Sequence, residues 1–213
     1  KIYSLKDFST AKILVVVFTC NHCPTAQAYE DRIKQLVVDY KPKGVALIAI
    51  SPNDPLSVRL DELGYTDLND SFDEMKIRYK DKQFNFPYLY DGENSQASKL
   101  YGPQATPHVF IFDAERKLKY TGRIDDGEKP GSAKTHDTRN TLDALLNNQP
   151  VPVEKTKTFG CSIKWPDKRS YAESAAGEWA EEKVELQTIT REGVADLLQN
   201  NTTDYLLINI WAT

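Results

Sequence analysis

Two cysteines three residues apart, Cys20 and Cys23, are the residues in this chain whose type and spacing most directly suggest chemistry. They follow an apolar run, Ile13 to Phe18, and precede Pro24 and a stretch of helical periodicity. A thiol at a helix start meets unpaired backbone N–H groups and the positive end of the helix dipole, and both favour the thiolate. The thiolate is the attacking form, so a lowered pKa enlarges the reactive fraction at neutral pH. His22 reads either as a cation that tunes these thiols or as a solvated loop residue. Cys161 stands alone far downstream. Three cysteines in 213 residues do not make a disulfide framework, so the pair reads as catalytic or metal-binding, with one thiol left over.

The elements that must hold this pair are visible in the hydrophobic pattern. Ile13 to Phe18 reads as a strand buried on both faces. Ala26, Tyr29, Ile33, Leu36, Val37 and Tyr40 recur at helical steps, and Pro24 suits the first turn, where its missing N–H is not needed. Pro42 and Gly44 end that helix before a second buried strand, Val45 to Ile50. Strand, helix, strand with short joins predicts a right-handed βαβ unit and a parallel sheet. An insertion at about 51–83 comes next, polar and turn-rich at first. It closes with a helix through Lys82 that Ser71 caps and Glu74 completes as a capping box. Phe86 to Tyr90 predicts a short strand, Ser95 to Tyr101 a short helix, and Thr138 to Leu146 a final helix. Val109 to Phe112 and Lys117 to Arg123 predict a hairpin. Thr106-Pro107 precedes that hairpin, and an X-Pro bond there can be cis, bringing the Thr106 backbone against the cysteine loop.

The segments Phe18-Thr19-Cys20-Asn21-His22-Cys23-Pro24-Thr25, Thr106-Pro107 and Phe112-Asp113 together resemble the thioredoxin superfamily, on its peroxiredoxin-like (redoxin, AhpC/TSA-type) branch. The resemblance covers roughly residues 1–160. It implies an α/β thioredoxin-like fold, a central mixed sheet flanked by helices. It also implies an antioxidant-type oxidoreductase that needs no metal or organic cofactor. In thioredoxins the nucleophile stands five residues after the aromatic that closes the strand, and from Phe18 that position is Cys23. Cys23-Pro24-Thr25 also resembles the peroxide-attacking Cys-Pro-Thr of peroxiredoxins. The resemblance therefore makes Cys23 the nucleophile toward peroxide or a disulfide and Cys20 its resolving partner, with His22, Thr106 and Pro107 in support. Cys161 lies in Phe159-Gly160-Cys161-Ser162-Ile163-Lys164-Trp165, an ending that also resembles this family; it reads first as a tail thiol, with a second resolving role as the alternative. Three departures bear on peroxidase chemistry. Cys20 stands where peroxiredoxins carry Thr or Ser, Val16 stands where they carry Pro, and their activating Arg is not evident near the later strand.

A different class of reading is a copper-binding chaperone of the same fold, with Cys20 and Cys23 as soft ligands and His108 or His136 as a third. Those histidines otherwise read as structural or exposed. The bland alternative is a pair of buried structural cysteines. The net charge of −4, with no basic stripe, gives no reason to expect nucleic acid, and no apolar run is long enough to span a bilayer. The domain reading is a redoxin domain at 1–158, a linker at 159–177 and the start of a second thioredoxin-like domain at 178–213. Leu206 to Thr213 resembles the strand that leads into a thioredoxin active site, so the natural protein is expected to continue beyond Thr213. Electrons would come from a dithiol partner, with that second domain in cis as the candidate. A tandem arrangement of this kind points to an extracytoplasmic, periplasmic setting in a bacterium.

Overall fold

Six consecutive apolar residues, Ile13–Phe18, form the central strand β1, and every one of them is buried. Strand side chains alternate between faces, so β1 supplies two cores at once. Ile13, Val15 and Val17 pack with Tyr29, Ile33, Leu36, Tyr40, Tyr120 and Leu142 on one face. Leu14, Val16 and Phe18 pack with Ile48, Ile50 and Phe110 on the other. Fully burying one such aliphatic side chain is worth about 1.5–3 kcal/mol, which makes this strand the anchor of the sheet and of the loop at its end.

The computed structural model describes residues 1–64, 66–183, 188–199 and 203–206. After β1 come helix α1 (Pro24–Tyr40) and strand β2 (Val45–Ser51), joined by a 3₁₀ turn and Gly44. The insertion carries two 3₁₀ turns, Pro55–Ser57 and Leu60–Leu63, and then helix α2 (Phe72–Asp81), capped by Ser71 as the sequence predicts. Strand β3 (Tyr88–Tyr90), helix α3 (Gln96–Tyr101), strands β4 (His108–Phe112) and β5 (Leu118–Gly122) and helix α4 (Asp137–Leu146) complete the sheet and its cover. Strand order is β3-β2-β1-β4-β5. The first three run parallel, β4 is antiparallel to β1 and β5 antiparallel to β4. This is the thioredoxin-like α/β fold that the pattern predicts, and no described helix is long and apolar enough to cross a membrane.

One expectation needs correction. Residues 164–177 read as an extended connection because of their Pro and Gly, yet helix α5 runs over Arg169–Glu181. Its Ala- and Glu-rich sequence has high helix propensity, and Pro166 sits at the start of the 3₁₀ turn that precedes it. Nor does the assigned linker run free at its start. Phe159 packs on the core with its ring tilted against that of Tyr29, and Ile163 and Lys164 are buried. Compact structure divides into Lys1–Trp179 and Ala180–Thr213. The second unit contains helix α6 (Arg191–Gln199), and the helical pattern of Thr190 to Gln199 in the sequence predicts a helix there. Residues 207–213, and with them most of the strand that the resemblance of Leu206 to Thr213 implies, lie outside the described residues.

Candidate active site

The loop from β1 to α1 carries the chemistry. Cys23 is the N-cap of α1, and its Sγ accepts a 3.4 Å hydrogen bond from the Ala26 N–H. The helix start thus faces the sulfur, as the position of Pro24 implies. Cys23 is fully buried and joined in a disulfide to Cys161, with a Cα–Cα separation of 5.9 Å. This corrects the sequence reading of Cys161 as first of all a tail thiol, and in this form Cys20, the expected resolving partner, stands outside the disulfide. Cys20 is free and 2% exposed. Spacing along the chain could not reveal the Cys161 contact, because it is made across a separation of 138 residues.

Thr106 and Pro107 do lie against the cysteine loop, and the bond between them is cis. Thr106 reaches both local sulfurs. Its Oγ1 is 3.3 Å from Cys20 Sγ, and its carbonyl oxygen is 3.4 Å from Cys23 Sγ. It also forms an isolated antiparallel bridge with Cys161. The Thr106 N–H donates to the Cys161 carbonyl at 3.0 Å, and the Cys161 N–H donates to the Thr106 carbonyl at 3.2 Å. Gly160 permits this approach. It has φ +130°, and a Cβ there would stand 2.1 Å from the Thr106 carbonyl oxygen. The strand-like segment continues past Cys161 into the insertion: the Asp54 N–H donates to the Lys164 carbonyl, the Lys164 N–H donates to Asn53 Oδ1, and Ser57 Oγ donates to the Trp165 carbonyl.

His22 is not a solvated loop residue. It is 2% exposed and bonded through Nδ1 to Asp70 Oδ2 at 2.6 Å. Asp70, also fully buried, accepts in addition from the backbone N–H of Asn21 and of His22 and from Asn53 Nδ2. Burial alone would hold the imidazole neutral, but its bonds to Asp70 and to Cys20 outweigh that and push its pKa up to about 10. Burial also pushes the Cys20 thiol up, and the Asp70 charge adds to this while His22 works against it. The donor atoms of Cys20, His22 and Asp70 all lie within 4.8 Å of one another. Asp70 and Asn53 escaped the sequence reading because they belong to the polar insertion, and only the folded chain brings them under the cysteine loop.

The copper reading needs two free thiols, and in this oxidised form Cys23 is committed to Cys161. His108 has both ring nitrogens engaged, Nδ1 accepting from the Gln104 N–H and Nε2 bonded to Thr121 Oγ1. His136 is exposed at the start of α4.

The AhpC/TSA family model matches residues 1–121, and the chain belongs to that family. It is accordingly a member of the thioredoxin superfamily on its redoxin branch, with the fold and cysteines of a thiol–disulfide oxidoreductase-like protein. A hypothetical protein from Sinorhizobium meliloti 1021 is 30% identical, with 78% of this chain and 86% of that one aligned at a TM-score of 0.67. An uncharacterized conserved protein from Geobacillus kaustophilus is 38% identical over 76% of this chain and 81% of its own, at a TM-score of 0.65. A thioredoxin-like protein solved in its oxidised form, 9% identical, shares the fold alone: 70% of this chain and 87% of that one align at a TM-score of 0.53. No curated protein matches the chain.

Proposed function

We propose that this protein is a thiol–disulfide oxidoreductase whose nucleophile is Cys23 and whose first oxidised form is the Cys23–Cys161 disulfide. In the reduced protein the Cys23 thiolate attacks one sulfur of a substrate disulfide, forming a mixed disulfide and releasing one substrate thiolate. Cys161 then attacks the Cys23 sulfur and releases the second substrate thiol. The substrate is reduced to a dithiol and the protein is oxidised. A dithiol reductant, supplied in cis by a following domain or in trans, restores the protein by attacking Cys161. That direction is favoured because Cys161 is half-exposed whereas Cys23 is fully buried. Cys23 is then the leaving group, and the Ala26 N–H and the helix start stabilise its thiolate.

The observation that carries this reading is the bridge between Thr106 and Cys161. An extended peptide bearing a cysteine lies against Cys23, the arrangement that exchange with a protein disulfide requires. A peroxide would use the same thiols, with Cys23 becoming a sulfenic acid and Cys161 condensing with it as water leaves. The departures at Val16 and Cys20 make the disulfide the better-supported substrate. We place the protein outside the bacterial cytoplasm, where an oxidised pair persists.

Stopped-flow reaction of the reduced protein with hydrogen peroxide and, in parallel, with glutathione disulfide decides between the two. Faster reaction with the disulfide supports this reading. Faster reaction with peroxide, with sulfenic acid trapped on Cys23, would make the protein a peroxidase instead.

A further inference from the structure

Cys20 is the one thiol that the proposed cycle leaves unused, and its surroundings are not those of an inert core cysteine. It clusters with Cys23 and Ala26, with Cys161 packed against them. Thr106 binds its sulfur through Oγ1 while touching Cys23 through its carbonyl. Cys20 is 2% exposed and packs with Cys23, so a sulfur of its own chain lies within its reach. A buried structural thiol would sit among apolar groups, whereas Cys20 faces an imidazole held by a carboxylate that itself accepts four hydrogen bonds. With its lone pairs engaged in this way, Asp70 serves better as an anchor for His22 than as a metal ligand.

Resting on the assignment of Cys23 as nucleophile, we propose that Cys20 is a second resolving thiol, which attacks the Cys23 sulfur of the Cys23–Cys161 disulfide and passes the oxidised state inward. The Cys20–Cys23 bond forms as the Cys23–Cys161 bond breaks, and the electron pair leaves on Cys161. Cys20 gives up its proton, and the half-exposed Cys161 thiolate takes one up from solvent. No external oxidant or reductant is consumed. His22 stabilises the Cys20 thiolate by charge and hydrogen bonding, and Asp70 and Asn53 are positioning residues. His22 carries this charge across neutral pH because Asp70 faces it. The titratable groups around the imidazole are Cys20 on its own loop, Asp70 from the insertion and, through Asn21, the Tyr88 phenol of β3. The consequence is mechanical as well as chemical: once Cys161 is released, only two backbone hydrogen bonds tie Cys161 to Thr106, and a substrate peptide can take its place there.

The test is acid quenching of the reduced full chain at intervals after mixing with one equivalent of glutathione disulfide, followed by alkylation and mapping of disulfides by mass spectrometry. Cys23–Cys161 should rise first, and Cys20–Cys23 should then grow at the rate at which Cys23–Cys161 decays. In His22→Gln the ratio of the second rate constant to the first should fall roughly 10²-fold at neutral pH, and recover as pH is raised and Cys20 ionises unaided. A Cys23–Cys161 bond that persists in the wild-type chain overturns the proposal while leaving Cys23 as nucleophile. So does a Cys20–Cys23 bond whose rate and pH profile ignore His22→Gln. Absence of any disulfide to Cys23 overturns that assignment and this step together.

Discussion

Thr106 and Cys161 exchange both of their backbone hydrogen bonds, at 3.0 and 3.2 Å, although 55 residues separate them in the chain (161 − 106). The bridge brings a cysteine from beyond the last helix of the sheet domain to the start of its first long helix. The proposed chemistry depends on that contact, and the contact can be probed directly.

It requires glycine at position 160. An alanine there would drive its Cβ into the Thr106 carbonyl in a backbone conformation that side chains rarely adopt. Gly160→Ala should therefore separate Cys161 from Cys23, and the mixed disulfide on Cys23 should outlive its wild-type counterpart at least about tenfold, a barrier change of about 1.4 kcal/mol. Mass spectrometry of quenched reactions measures that lifetime.

The disulfide spans 138 residues, so it removes much conformational freedom from the unfolded chain. The oxidised protein should be more stable than the reduced one by about 3–5 kcal/mol. Urea unfolding with and without a reductant that opens the bond gives the difference directly, and equal midpoints would mean that the bond is not formed in solution.

Asp70 holds a buried imidazolium. Asp70→Ala should cost about 3–5 kcal/mol, because it leaves His22 and two loop N–H groups without their acceptor. The pH dependence has a definite sign. The His22 pKa is raised from 6.5 to about 10, so its contribution is complete below pH 6.5 and is lost as pH rises through about 10. Urea midpoints across that range should fall in the wild-type chain and stay flatter in the variant.

His108 titrates in the opposite sense. Burial, and then the nearby Lys155 charge, lower its pKa to about 4. Its contribution to stability is present above pH 6.5 and is lost as pH falls through about 4. His108→Gln should flatten the acid limb of the stability curve between those values, measured by the same urea titrations.

Much of the fold was legible because it is locally encoded. The β-branched run of β1, the helical spacing of α1 and the Ser71 cap each contain their own instruction. The position of Cys23 at a helix start was legible for the same reason, and Thr106-Pro107 marked the neighbouring loop. Partnership was not legible. Cys20 is nearer to Cys23 in sequence, yet the strap around Gly160 delivers Cys161 to it, and no periodicity encodes that. Asp70 and Asn53 sat in a segment whose polarity signalled surface, and the folded insertion buries them under His22. The helix α5 was misjudged because one Pro and one Gly outweighed an otherwise helix-forming stretch.

The central claim is that Cys23 is the attacking thiol, and it is tested most directly with Cys20→Ser/Cys161→Ser, which retains Cys23 alone. Reduced protein mixed with glutathione disulfide should give one glutathione adduct, mapped to Cys23, at a rate well above that of the same chain unfolded in urea. No adduct, or an adduct formed no faster than in the unfolded chain, would contradict the account.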